Sequence, residues 1–339
     1  MQTVRLGKTE LQVSRIGFGG IPIQRLAEGD AVKVVRRCLD LGVNFLDTAN
    51  AYTTSEARIG KAIAGRREQV ILATKTGVKD KKTALEHLEL SLKQLQTDYI
   101  DLWQFHNVST EAAYEQILGP DGAMEAAQEA LQSGKIRHLG VSSHSLDLAL
   151  KMVPSGYFET VQFPLNFVTD EALSELLPLA RQHDVGFIAM KPLAGGLLDN
   201  AALALKWLLQ FEDVLPDPGI EQAAEIEEIV RIVEGPWELS AAERQEIERI
   251  RAEVGTRFCR RCQYCLPCPQ GINITLMMTV RSFIKRFAAN WFQENDFSKV
   301  IETAKTCIHC GQCEDRCPYH LPIREMLAEN IVYYEQMVL

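Results

Sequence analysis

No stretch of this chain is apolar for long enough to cross a bilayer, and residues 1–20 show no basic start followed by an apolar run. Neither a membrane span nor a secretory leader is expected. Low-complexity tracts are missing, and so is the G-x-G-x-x-G fingerprint of an open dinucleotide-binding sheet, because Gly17, Gly19 and Gly20 run into Pro22 rather than into a helix. Basic charge is in deficit. Against 45 acidic side chains stand 36 basic ones, a net charge of −9, which argues against nucleic acid or an anionic membrane as partner. Cysteine is nearly absent from the first three quarters, where Cys38 alone sits in a helical pattern and reads as a small buried hydrophobe. A cytoplasmic chain with reduced thiols is the expectation.

The remaining cysteines crowd into the last quarter in two runs: Cys259, Cys262, Cys265 and Cys268 before Pro269, then Cys307, Cys310, Cys313 and Cys317 before Pro318. The second run is C-x2-C-x2-C-x3-C-P, a spacing used to ligate iron–sulfur clusters, and the first is shorter by one residue before its last cysteine. Structural zinc favours two separated C-x2-C pairs and has no use for a third cysteine at the same step; disulfides need an oxidising compartment. Eight thiolates suffice for two [4Fe–4S] clusters. Four cysteines at equal steps do not readily face one cube, whereas three do, with the fourth directed elsewhere. The expected sets are therefore crossed: Cys259, Cys262 and Cys265 with Cys317, and Cys307, Cys310 and Cys313 with Cys268. An uncrossed set from Cys259 to Cys268 is the alternative. Arg257, Arg260 and Arg261 beside the first run read first as charge balance for anionic clusters, and second as a docking collar for an acidic, ferredoxin-type electron carrier.

Ahead of this tail lie about 255 residues, close to the length of an eight-fold β/α barrel. After an opening hairpin with its turn at Gly7-Lys8, apolar runs of strand length fall near 15–18, 44–46, 70–73, 99–104, 136–141, 160–162, 186–189 and, less clearly, 213–215. Segments such as 30–41, 83–95, 171–182 and 199–210 repeat apolar residues at helical spacing between them. The expected fold is α/β: a (β/α)8 TIM barrel over residues 1–255, then a small, mainly helical ferredoxin-like domain over 256–339, with the boundary at Gly255. Within that tail, residues 275–303 carry apolar side chains at helical spacing and are expected to be helical.

Polar residues stand at the strand ends: Asp47 after Asn-Phe-Leu, Tyr52 soon after it, Lys75 after Ile-Leu-Ala-Thr, and His106 after Asp-Leu-Trp-Gln-Phe. Singly, each reads as a solvated strand end, and Asp47 with Lys75 could be a merely structural pair. Jointly they suit carbonyl reduction, which needs a hydride for the carbon and a proton for the developing alkoxide. Tyr52 is the proton donor in that reading. A phenol is a weak acid, and an ammonium at Lys75, held by Asp47, favours the phenolate and eases release of the proton. His106 would orient the carbonyl or share the proton.

The segments Leu46-Asp47-Thr48-Ala49 with Tyr52, Ala73-Thr74-Lys75 and Gln104-Phe105-His106 resemble the catalytic tetrad of the aldo/keto reductase family, in order and in strand position. Arg5-Leu6-Gly7 and Gly17-Phe18-Gly19-Gly20 extend the resemblance, and the cysteine tail places it with the branch that has a ferredoxin-like extension. The resemblance implies that Ser142 and Gln162 hold a nicotinamide carboxamide, that Gly195 and Gly196 approach the pyrophosphate, and that Glu228 meets the adenine. The chain departs from the pattern where relatives often have an aromatic (here Met190), an asparagine after the serine (Ser143) and an asparagine beside the glutamate (Ile229). Between 219 and 228 no basic residue offers itself to a 2′-phosphate, while Glu221 and Glu225 are present, so NAD(H) is expected ahead of NADP(H).

The sequence thus supports an iron–sulfur oxidoreductase that reduces or oxidises a small carbonyl or alcohol, with two clusters relaying electrons. The alternative from another class is an electron-transfer or redox-sensing adaptor whose barrel binds nicotinamide with little turnover. A third is an enzyme whose clusters are purely structural, holding a tail too small to bury a core of its own. A mismatch separates them: nicotinamides deliver two electrons as a hydride, each cluster passes one, and no flavin motif is visible to convert between the two.

Overall fold

The computed structural model describes residues 1–287 and 289–338. The chain divides into two compact units, Met1–Ser240 and Ala241–Leu339. This division falls ahead of Gly255, because the helix Ala241–Val254 groups with the second unit.

The first unit opens with a hairpin of β1 (Thr3–Arg5) and β2 (Gln12–Ser14), with Val4 opposite Val13. Eight parallel strands follow: β3 (Phe18–Gly19), β4 (Phe45–Asp47), β5 (Ile71–Thr76), β6 (Ile100–Phe105), β7 (Ile136–Ser142), β8 (Thr160–Pro164), β9 (Gly186–Met190) and β10 (Val214–Asp217), each hydrogen-bonded to the next. The barrel closes where Gly17 N donates to Pro216 O and Gly19 N to Pro218 O, both at 2.8 Å. Glycine is required at 19 because a Cβ there would come within 2.8 Å of Pro218 O. The barrel floor is a cluster of Leu6 and Val13 from the hairpin region with Phe45, Ala73, Leu102, Ile188 and Leu215 from the strands. The hairpin therefore plugs the end where the strands begin, and the opposite end is left for chemistry.

Helices cover the barrel by burying one stripe each. Glu28–Asp40 turns Ala31, Val34, Val35, Cys38 and Leu39 inward, and burial pushes the Cys38 thiol up, as suits an inert core residue. Asp80 caps Lys81–Leu95 by accepting from Thr83 N at 2.9 Å, and Asn200 caps Ala201–Leu209 by accepting from Leu203 N at 2.9 Å. The eight strands lie where the apolar runs predicted them, with one displacement. The first begins at Phe18 rather than at Arg15: the Arg15 N–H donates to Gln2 O at 2.9 Å, and its buried guanidinium binds the carbonyls of Val214, Leu209 and Phe211.

The second unit is helical among its described residues. Ile274–Met278, Val280–Arg286, Ala289–Glu294 and Phe297–Lys305 occupy the stretch between the cysteine runs, in line with the expectation for 275–303; residue 288 lies outside the described residues. The closing helix Ile323–Val338 is pinned across this stretch by Asn330, which donates to Met277 O at 2.9 Å and accepts from Arg281 at 2.8 Å. Met277, Val280, Phe292, Phe297, Ile301 and Leu321 form its core together with Cys265 and Cys317. Among the described residues no helix is long and apolar enough to cross a membrane.

Candidate active site and candidate metal centre

Parallel pairing brings the strand ends of the barrel to one mouth. Asp47 ends β4 opposite Ala73, and Lys75, two residues further along β5, lies opposite Gln104 of β6. Both charged side chains are buried, and the Lys75 ammonium donates to Asp47 Oδ2 and, at 2.8 Å, to Thr48 O. Burial alone would push the Lys75 ammonium down; the charge of Asp47 and the hydrogen bond to it outweigh this and hold the group above its usual value. Gln104 Nε2 steadies the other carboxylate oxygen, Asp47 Oδ1, at 3.3 Å. Tyr52 stands on the turn after β4, where its N–H donates to Ala49 O at 2.9 Å, and its ring centroid is 5.5 Å from the Lys75 ammonium. His106 leaves β6 with its N–H on Thr76 O at 2.8 Å and meets the Tyr52 ring edge-on, centroids 5.8 Å apart. The four tetrad positions are thus one constellation, with a buried ion pair below and two half-buried rings above.

The positions carried over for a cofactor are more dispersed. Ser142 ends β7, buried, and accepts from Asn107 N at 2.9 Å. Gln162, on β8, donates to Asp47 at 3.3 Å and to Asp217 at 3.2 Å, while its Oε1 is buried without a donor. Gly195 and Gly196 follow β9 on a turn with φ of +73° and +89°. Glu228 is exposed on the helix Ala223–Glu234. Glu225 accepts from Glu221 N at 2.7 Å and Gln222 N at 2.9 Å as part of the cap of that helix. Glu221 pairs with Arg25, a basic group from outside the 219–228 segment.

Two further features escaped the sequence reading. Asp217 ends β10 as Asp47 ends β4, buried beside it; a polar residue closing an apolar strand was its available signal. At the rim, Lys191 Nζ lies 2.9 Å from His144 Nε2, and His144 Nδ1 lies 3.0 Å from Asn107 Oδ1.

In the second unit the cysteines surround two cavities. One, of about 320 Å³, is lined by Cys259, Cys262 and Cys265 with Cys317; the other, of about 430 Å³, by Cys307, Cys310 and Cys313 with Cys268. This is the crossed grouping read from the spacing. Burial, with Cys259 and Cys262 close by, pushes the Cys265 thiol up to about 12, and burial beside Glu314 also raises Cys313. Thiolates gathered so closely need a compensating cation to stay ionised. A compact multi-atom body with thiolate ligands fits this donor set. Arg257 is tied to Glu325 and Glu329 at 2.7 Å, and Arg260 lies over the Tyr319 ring at 3.9 Å beside the first cavity.

Residues 15–202 match the aldo/keto reductase family, and residues 258–322 match a 4Fe-4S dicluster domain. Among curated proteins, L-galactose dehydrogenase of Arabidopsis thaliana is 35% identical over 212 residues, 57% of this chain and 66% of that protein. The chain spans about two thirds of the length of such relatives. Among solved structures, the holo form of aldo-keto reductase AKR11C1 from Bacillus halodurans is 28% identical with a TM-score of 0.65, over 74% of this chain and 96% of that one. An aldo-keto reductase from Klebsiella pneumoniae in complex with NADPH is 26% identical with a TM-score of 0.64, over 74% of this chain and 94% of that one.

Proposed function

The chain belongs to the aldo/keto reductase family and is an oxidoreductase with a 4Fe-4S dicluster domain; from that premise we propose that its barrel interconverts a small carbonyl and the corresponding alcohol at a nicotinamide, with Tyr52 moving the proton. The observation that carries this reading is the buried Asp47–Lys75 pair set against the Tyr52 ring.

When bound, a nicotinamide supplies or accepts the hydride. Every other task falls to the chain. Tyr52 donates its hydroxyl proton to the carbonyl oxygen as negative charge develops there, and the phenolate left behind faces the Lys75 ammonium. Asp47 keeps Lys75 charged and in place, and Gln104 and Gln162 fix Asp47 in turn. His106, edge-on to Tyr52, orients the carbonyl. For the carboxamide, the buried Gln162 Oε1 offers an acceptor that lacks a donor, and Ser142 lies at the end of the adjoining strand. At Gly196 a Cβ would meet nothing within 4 Å, so a pyrophosphate has room to approach this turn. In the second unit, Cys259, Cys262, Cys265 and Cys317 would hold one [4Fe–4S] cluster and Cys268, Cys307, Cys310 and Cys313 the other; such clusters supply one-electron steps.

Anaerobic stopped-flow mixing with NADH or NADPH, with and without small aldehydes, tests the whole assignment. Aldehyde turnover is the expected outcome, and fast cluster bleaching would mark the clusters as a relay. Turnover without bleaching would leave them structural. Bleaching without turnover would favour the electron-transfer adaptor, a reading supported by Met190 at the end of β9, where relatives often place an aromatic.

The cofactor preference follows from charge. Glu221 and Arg25 neutralise one another, so a 2′-phosphate brought to this segment finds no free cation on it. A 2′-phosphate gains no attraction from this segment unless it breaks the Glu221–Arg25 pair, so NADH should bind no more weakly than NADPH at low salt. Titration of both decides the point. Tighter NADPH binding would mean that Arg25 leaves Glu221 for the phosphate.

A further inference from the structure

The mechanism above uses one buried carboxylate, Asp47, yet β10 delivers a second to the same place. Asp217 is 6% exposed. Gln162 Nε2 lies 3.3 Å from Asp47 Oδ2 and 3.2 Å from Asp217 Oδ2, so a single amide group is divided between two acids. The other Asp217 oxygen, Oδ1, is buried with no donor directed at it, and it packs on backbone: a Cβ at Gly17 would come within 3.0 Å of it. The carboxyls of Asp217 and Asp47 thus converge on one donor. Two carboxylates repel, whereas an acid and a carboxylate can share one proton in a hydrogen bond. Lys75 is the ammonium beside both acids. One cation against two buried anions would leave a negative charge without compensation, which such a site does not tolerate cheaply.

We propose that Asp217 is a further positioning acid of this site: it keeps a proton at neutral pH, shares it with Asp47, and so leaves Lys75 facing a single anion with its charge still available to Tyr52. No bond is made or broken beyond this shared hydrogen bond. The groups that face the pair are Asp47 from β4, Lys75 from β5 and Tyr52 from the turn between them, with Gln104 and Gln162 neutral. Glu56, on the helix Ser55–Ile63, faces Lys75 from outside and is likewise raised by burial. The effect on rate rests on Tyr52 as proton donor; the location of the proton does not. As pH rises far enough to ionise Asp217, a second anion draws the Lys75 charge away from Tyr52 and carbonyl reduction slows.

The direction of the stability effect is fixed by the same proton. Burial and the neighbouring Asp47 hold Asp217 well above the usual carboxylate range, so the folded chain keeps a proton that the unfolded chain releases. Stability is then greatest below the ordinary carboxylate value and declines as pH rises toward the folded one. Asp217→Asn, which resembles the protonated acid but cannot ionise, should melt above the native chain at about pH 8, with the gap closing near about pH 4. Its carbonyl reduction should keep its rate further into the alkaline range than the native chain's. Infrared spectra of native chain labelled in the aspartate carboxyl should show a protonated aspartic acid at neutral pH, separable from Glu56 by the label. Asp217→Asn should lack that band; if this variant does not fold, the native spectrum alone decides. Absence of a protonated aspartic acid in the native chain, or melting curves of native and variant that differ by the same amount at every pH, would overturn the proposal. A protonated aspartic acid in a chain that reduces no carbonyl would uphold the location of the proton and refute the reaction instead.

Discussion

Tyr52→Phe is expected to lower carbonyl reduction by about two to four orders of magnitude while nicotinamide affinity stays within a few-fold of the native value. The substitution removes one hydroxyl from a half-buried ring and leaves the ring's packing against His106 and over the Lys75 ammonium in place. What is lost is a proton donated as the alkoxide develops, an interaction made in the transition state and hardly at all in the ground state. Paired measurement of kcat, KM and cofactor dissociation constant separates this from a general loosening of the mouth. A variant within a few-fold of native turnover would mean that another group supplies the proton, with His106 the first to examine. A variant that lost cofactor binding as well would have damaged the fold of the mouth rather than its chemistry.

Cys317→Ser should cost about half of the bound iron, and the half lost should be that of the first motif. Cys317 lies in the chain beside Cys313, yet it lines the cavity of Cys259, Cys262 and Cys265 and is among the most buried of the eight tail cysteines. A serine hydroxyl there is a harder and far less ionised ligand than a thiolate, so that cluster becomes labile while Cys268, Cys307, Cys310 and Cys313 keep theirs. Cys268→Ser is the mirror experiment and should spare the cavity that Cys317 lines. Iron and sulfide counts with the spectrum of the reduced protein read out both. Loss of the second-motif cluster in Cys317→Ser, with the first intact, would show that each motif serves its own cluster.

The barrel was legible because its signals are local. Apolar runs of strand length between helical patterns depend on near neighbours, and parallel pairing then brings Asp47, Lys75 and His106 to one end whatever fills the loops. Where a strand's limits are set by a distant partner, the sequence spoke less clearly: the first strand yields residue 15, whose N–H donates to Gln2 O, and β10 is short and contains Pro216. Asp217 was missed for the same reason. As a letter in the chain it is one more strand-end aspartate, and its meaning comes from Asp47 and Gln162, which arrive from β4 and β8. Glu225, read in the sequence as an acid that disfavours a 2′-phosphate, has a second task that depends on the fold, capping its own helix. The cysteine spacing carried further than any of these, since a constraint on what one short loop can enclose pointed to the mixed grouping that lines each cavity.

That sharing bears on how the molecule is built. Each cavity is lined by cysteines from both runs, so a chain interrupted anywhere between Cys268 and Cys307 has neither lining complete. Synthesis from the N-terminus therefore finishes the barrel long before either proposed cluster site is complete, and then nearly finishes both at once. A product truncated there would carry Cys259, Cys262, Cys265 and Cys268 with neither lining complete, a species exposed to oxidation and to the wrong metal. On the proposed assignment, loading is coupled to completion of the polypeptide.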